Sequence, residues 1–183
     1  MTDHSDKKLL DQFRDPTSRN LAFSQLVNKY QERLYWHIRR IVIDHDDADD
    51  VLQNTFIKAF KNLEGFREDS QLFTWLYRIA TNEALTFLKK KKRNIFVSFD
   101  DVAHGLSSKL EADPELSGDA IQLKLQQAIL TLPTKQRLVF NMKYFEELKY
   151  EDMSEVTGTS VGALKASYHH AVKKIEAFIK QQF

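Results

Sequence analysis

Apolar residues recur at three- and four-residue intervals through most of this chain, and between Ile95 and Gly118 that periodicity fails. Such intervals place side chains on one face of an α-helix. With five Gly and three Pro in 183 residues, and little β-type alternation, nearly every segment outside the gap reads as helix. The pattern predicts an all-α fold: two small helical domains, residues 1–95 and 119–183, joined by a flexible linker over 96–118. Gly105, Ser107, Ser108, Pro114, Ser117 and Gly118 break any helix that starts in the gap. Asp100, Asp101, Glu111, Asp113, Glu115 and Asp119 face a single Lys109, so the linker is acidic as well as irregular.

In the first domain the spacing predicts helices from about Asn20 to Ile43, with a break near Tyr30, from about Asp47 to Leu63, and from about Ser70 to Lys91 after a loop containing Gly65. In the second, Ile121, Leu125, Ala128, Ile129 and Leu132 keep helical spacing up to Pro133, and the pattern restarts under a Thr134 cap with Leu138, Met142 and Phe145. Tyr150 to Ile179 then reads as a helix-turn-helix. Met153 and Val156 point inward, Gly158 supplies the positive φ of the turn, and Ser160 caps the next helix. On that helix Leu164, Tyr168, Ala171 and Ile175 form one face, and Lys165, His169 and Lys173 line another.

The formal net charge of +1 hides segregation: Lys89 to Arg93 is a basic run, whereas Asp44 to Asp50 holds five aspartates. The absence of cysteine excludes disulfides, thiolate metal sites and cysteine nucleophiles. The histidines lack the spacing of a helical metal-binding pair, and no phosphate-cradling glycine loop is present, so no catalytic site, metal or cofactor is expected. The polar start MTDHSDKK and the lack of a membrane-spanning apolar run predict a soluble cytoplasmic protein.

Three constellations carry function. In DHDDADDVLQNTFIKAF, Leu52, Phe56, Ala59, Phe60 and Leu63 share one face and Asp50, Gln53, Asn54 and Lys58 lie outside it. The aspartates can serve as helix caps, or the outer face can dock a protein partner. From Phe66 to Arg93, Arg67, Ser70, Trp75, Arg78, Asn82 and the basic Lys89, Lys90 and Lys91 accompany Phe73 and Tyr77. Aromatics among cations suit single-stranded DNA; core packing and cations at a helix C-terminus explain the same residues. Trp75 either packs on a neighbouring helix or is presented to a base. In the last helix, insertion into a major groove brings Val161, Gly162, Lys165, Ala166 and His169 near base edges, with Thr159, Ser160 and Lys173 at its margins. The competing reading there is a plain core or dimerisation helix.

Together DADDVLQNTFIKAF, FREDSQLFTWLYRIATNEALTFLKKKKR, LPTKQRLVFNMKYFEELKYEDMSEVTG and TSVGALKASYHHAVKKI resemble the bacterial RNA polymerase sigma factors of the extracytoplasmic function group, sigma-70 family members with only the second and fourth conserved regions. The resemblance implies that Asp47, Asp50, Gln53 and Asn54 meet the clamp helices of the polymerase β′ subunit, with the β flap as a further contact. It implies that the loop from Leu63 to Gln71 and the helix through Trp75, Arg78 and Asn82 capture the melted minus-ten strand, and that Ser160 to Lys173 read the minus-thirty-five duplex. The linker then threads toward the RNA path, as a nucleic-acid mimic or a solvated spacer. A monomer when free, an anti-sigma partner and promoter melting without covalent chemistry are further expectations. The rival is a two-domain helix-turn-helix regulator with a sensing or dimerising N-terminal bundle.

The chain departs from the family pattern at Ala166, Ser167 and Tyr168, where many members carry Ser, Arg and Leu, at Val172, where Arg is common, and at Ser154, where a small apolar residue is usual. Fewer cations on the recognition helix imply weaker phosphate affinity and altered base preference.

Overall fold

Helix formation starts further upstream than the polar N-terminus suggests. In the computed structural model, which describes residues 4–94 and 120–181, helix α1 covers His4–Arg14 and buries Leu10 and Phe13. Its buried Asp6 explains how so polar a segment can dock: the carboxylate accepts hydrogen bonds from the Tyr30 hydroxyl at 2.7 Å and the Lys29 ammonium at 2.6 Å. Helices α2 (Arg19–Val42), α3 (His45–Asn62) and α4 (Leu72–Asn94) follow, with a 3-10 turn at Leu63–Gly65. A second set comprises α5 (Ala120–Leu130), α6 (Thr134–Tyr144), α7 (Tyr150–Thr157) and α8 (Val161–Lys180). Among the described residues there are eight α-helices and no strand. The chain divides into two compact units at Phe87 and Leu88. The expected linker over 96–118, with its acidic side chains, lies outside the described residues.

In the N-terminal unit, α2 runs unbroken through the position of the expected break, because Tyr30 is buried and bonded to α1. Leu26, Leu34 and Ile38 are fully enclosed along it, each of the order of 1.5–3 kcal/mol of apolar transfer. The helix ends at Ile43, whose φ of +69° is unusual for a β-branched residue and is held by burial of its side chain. Asp44 then caps α3, its carboxylate accepting from the Asp47 N–H at 3.1 Å. The inward face of α3 is rotated from the expected one: Ala48, Val51, Thr55, Phe56 and Ala59 are buried, Leu52 is half-buried and Phe60 is 37% exposed. The Phe60 ring still meets Phe13 and Phe23 edge-on, at 5.5 and 4.9 Å. Leu21 fits the helical pattern yet is 65% exposed.

In the C-terminal unit α8 packs against α5, α6 and α7, joining Ala128, Ile129, Leu132, Phe140, Ala171 and Ile175 in one core. Ile121, which also fits the pattern, is exposed at the start of α5. Pro133, not Thr134, occupies the cap of α6, and no side chain bonds there; proline supplies the extended backbone that the entry requires.

Candidate nucleic-acid interface

The helix-turn-helix is built by local chemistry. Gly158 closes α7 at φ +67°, and its N–H bonds to the Ser154 carbonyl at 2.8 Å. Ser160 caps α8, its hydroxyl accepting from the Ala163 N–H at 3.4 Å. Met153, Val156, Leu164, Ala171 and Ile175 are buried, and Tyr168 is half-buried, stacked 5.8 Å from Phe140. The opposite side of α8 is left to solvent: Gly162, Lys165, Ala166, His169 and Lys173 are exposed, after exposed Thr159 and Ser160, with Val161 half-buried. A Cβ added at Gly162 would meet nothing within 4 Å, so the start of α8 is open to close approach.

Tyr150 opens α7, and the fold gives its ring a role that helical spacing does not show. Two cations lie over its ring, the Lys165 ammonium 5.6 Å and the Lys143 ammonium 5.2 Å from the centroid. Burial, then the neighbouring Tyr168, raises the Tyr150 pKa above its usual value. No periodicity could have flagged this, since the first turn of α7 meets α8 across the motif.

Helix α4 turns Leu76, Tyr77, Ala80 and Ala84 into the core of the N-terminal unit and leaves Arg78 and Asn82 exposed; beyond that unit, along the same helix, Lys89 and Lys90 are exposed and Lys91 is half-buried. Trp75 heads this polar stripe, half-buried, its ring 5.3 Å from that of Phe66. The ring thus packs on the loop, not on a neighbouring helix, and stays partly exposed. Arg67 is exposed and Ser70 half-buried in that loop. Glu83 is committed to Lys58 of α3 by an ion pair.

On α3, Asp50, Gln53 and Asn54 are exposed, whereas Asp47 is half-buried beside the Asp44 cap. Among the aspartates, Asp44 therefore caps the helix, Asp49 pairs with His45 at 3.5 Å, and Asp50 stands on the outer face. Ile57, exposed one turn beyond Gln53 and Asn54, adds an apolar group to that face that sequence spacing did not single out. Among the described residues there is no cluster of acidic or imidazole groups able to hold a metal, and no helix long and apolar enough to cross a membrane.

Comparison with known proteins matches each unit separately: the sigma-70 region 2 model covers residues 26–94 and the sigma-70 region 4 model covers residues 122–175. The chain is 35% identical over 156 residues to the ECF RNA polymerase sigma factor SigW of Bacillus subtilis, spanning 81% of this chain and 83% of that one. It is 33% identical over 184 residues to the RNA polymerase sigma-H factor of Pseudomonas aeruginosa, spanning 96% and 94%. The sigma factor RpoE in complex with the anti-sigma factor NepR from Bartonella quintana shares the fold, with a TM-score of 0.68, 21% identity, and coverage of 86% of this chain and 96% of that one.

Proposed function

Since the chain belongs to the extracytoplasmic function (ECF) group of the sigma-70 family, RNA polymerase sigma factors that direct promoter-specific transcription, we propose a division of that task among three surfaces. The outer face of α3, with Asp47, Asp50, Gln53 and Asn54, docks on the β′ clamp helices. The loop before α4 and the stripe of Trp75, Arg78, Asn82, Lys89, Lys90 and Lys91 capture the nontemplate strand of the minus-ten element as it melts. The exposed side of α8, from Thr159 to Lys173, reads the minus-thirty-five duplex, and the β flap supports that unit.

One observation carries this reading: two different helices each present an exposed polar and basic stripe, Arg78–Asn82–Lys89 along α4 and Lys165–His169–Lys173 along α8. An aromatic–basic surface suits unpaired bases, and a capped helix with open cationic positions suits a major groove. A two-domain regulator would account for the second stripe and leave the first without a purpose. The work is binding and strand separation, with no covalent step, carried out where polymerase and chromosome meet in the cytoplasm. An anti-sigma factor, such as the partner bound to the Bartonella relative, is the class of regulator that would hold the free monomer inactive.

The test is transcription in vitro from a promoter library with purified core polymerase. Promoter-selected transcripts should appear only when this protein is added, and the protein alone should bind promoter duplex weakly, because each small module gains affinity only when both are held on polymerase. Tight, sequence-specific duplex binding by the free protein would overturn the proposal.

A further inference from the structure

The loop that joins α3 to α4 is braced from outside by α1 and the start of α2. Arg14 reaches Glu68 at 3.0 Å and Arg19 reaches Glu64 at 2.8 Å, so one arginine meets the start of the loop and the other its middle. Neither arginine is loosely placed. Arg14 also bonds Asp11 at 3.2 Å; Arg19 donates through Nε to the Phe13 carbonyl at 3.2 Å and lies 4.9 Å from the Phe13 ring. The turn between α1 and α2 is closed by Asp15, which accepts from both the backbone N–H and the hydroxyl of Thr17 at 2.9 Å. The Thr17 N–H, then its hydroxyl, holds the Asp15 carboxyl below its usual pKa.

Glu68 itself has φ +60°, a left-handed conformation that glycine adopts freely and other residues rarely do. A glutamate in that conformation needs a constraint from its surroundings, and its contact with Arg14 supplies one. The kink lies between exposed Arg67 and exposed Asp69, just after buried Phe66, whose ring packs against Trp75. There is also an electrostatic reason for the braces. Unpaired, Glu64 and Glu68 would set two negative charges on either side of Arg67, against any approaching phosphate; the two arginines cancel them. Both Arg14 and Arg19 precede residue 26, where the region 2 match begins.

We infer that Arg14 and Glu68 are positioning residues for strand capture: their ion pair holds the kinked loop so that Arg67 and Ser70 are preset for the minus-ten strand. This rests on the assignment of the loop to that strand made above.

The experiment measures the affinity of reconstituted holoenzyme for a fluorescent single-stranded minus-ten oligonucleotide, beside core-polymerase affinity and the melting temperature of each variant. Arg14→Gln, Glu68→Gln and Glu68→Gly, the last keeping the kink without the tether, should each weaken oligonucleotide binding about 1.5- to 5-fold, the range open to a partly exposed ion pair. The double variant Arg14→Gln with Glu68→Gln should fall no further than either single change, and Arg14→Glu with Glu68→Arg should recover most of the loss. Core affinity should be unchanged throughout, which a general loss of structure would not allow. Wild-type affinity in all three single variants, or failure of the charge swap to recover binding, would overturn the inference. Arg67→Ala separates the two levels: if it weakens binding while the tether variants do not, only the positioning role fails, and if it too is silent, the minus-ten assignment fails.

Discussion

The imidazole Nε2 of His37 lies 2.8 Å from the hydroxyl of Thr81, joining α2 to α4 where both side chains are buried. The Tyr77 ring sits 4.7 Å from the imidazole. Burial, and secondarily the charge of Arg40, lowers the His37 pKa from 6.5 to about 3. The folded state thus holds His37 neutral while the unfolded chain takes up a proton below pH 6.5, so this group's stabilisation is complete above 6.5 and is lost as pH falls toward 3. Denaturant titrations from pH 7 to 5 should show unfolding free energy falling, with a contribution from His37 approaching about 1.4 kcal/mol per pH unit. His37→Gln should be less stable at pH 7 and show a shallower pH slope than wild type; equal slopes would refute the account.

The turn of the helix-turn-helix gives a second measurement free of packing effects. A Cβ at Gly158 would meet no atom within 4 Å, so substitution there costs backbone conformation alone. Gly158→Ala should destabilise by about 1 kcal/mol. Gly158→Asn should cost less, since Asn tolerates the left-handed region. Ser160→Ala, removing a long cap bond, should cost about 0.5 kcal/mol in the same thermal-unfolding assay.

Asp50, Gln53 and Asn54 are exposed and should be dispensable for folding. Asp50→Ala and Gln53→Ala should change unfolding free energy by less than about 0.5 kcal/mol and yet reduce capture of core polymerase. Wild-type capture by both variants would remove the docking face from α3.

Lys165→Ala should impair promoter selection through the minus-thirty-five element, by about tenfold if the lysine reaches a base edge, and leave core binding intact. The contact with Tyr150 is through the ring face, so Tyr150→Phe should behave as wild type, whereas Tyr150→Leu should lose part of what Lys165→Ala loses. Competition binding of holoenzyme to promoter variants reads both. Equal behaviour of the Phe and Leu variants would show that the ring does not orient the lysine.

Much of this protein is encoded locally. A glycine able to take positive φ at 158, a cap at Ser160 and apolar spacing through Leu164, Ala171 and Ile175 are enough to specify a helix-turn-helix, because each acts within a few residues of itself. The same holds for the all-helical class and for the exposed polar stripe of α4. What spacing along one helix cannot encode is which neighbour covers which edge of its apolar face. Leu21 and Phe60 carry equally good pattern credentials with buried residues and end up exposed, while Tyr30 sits enclosed in an unbroken helix because α1 covers it. Helix α1 escapes a reading by composition because its buried polar group, Asp6, is satisfied by Tyr30 and Lys29 far along the chain. Trp75 against Phe66, Lys165 against Tyr150, and Arg14 against Glu68 are likewise pairings that only packing creates. Sequence alone determined the helical class, the turn chemistry of the helix-turn-helix and the residue types along the exposed stripes; tertiary structure decided how those side chains are held, since long-range contacts depend on how whole helices dock.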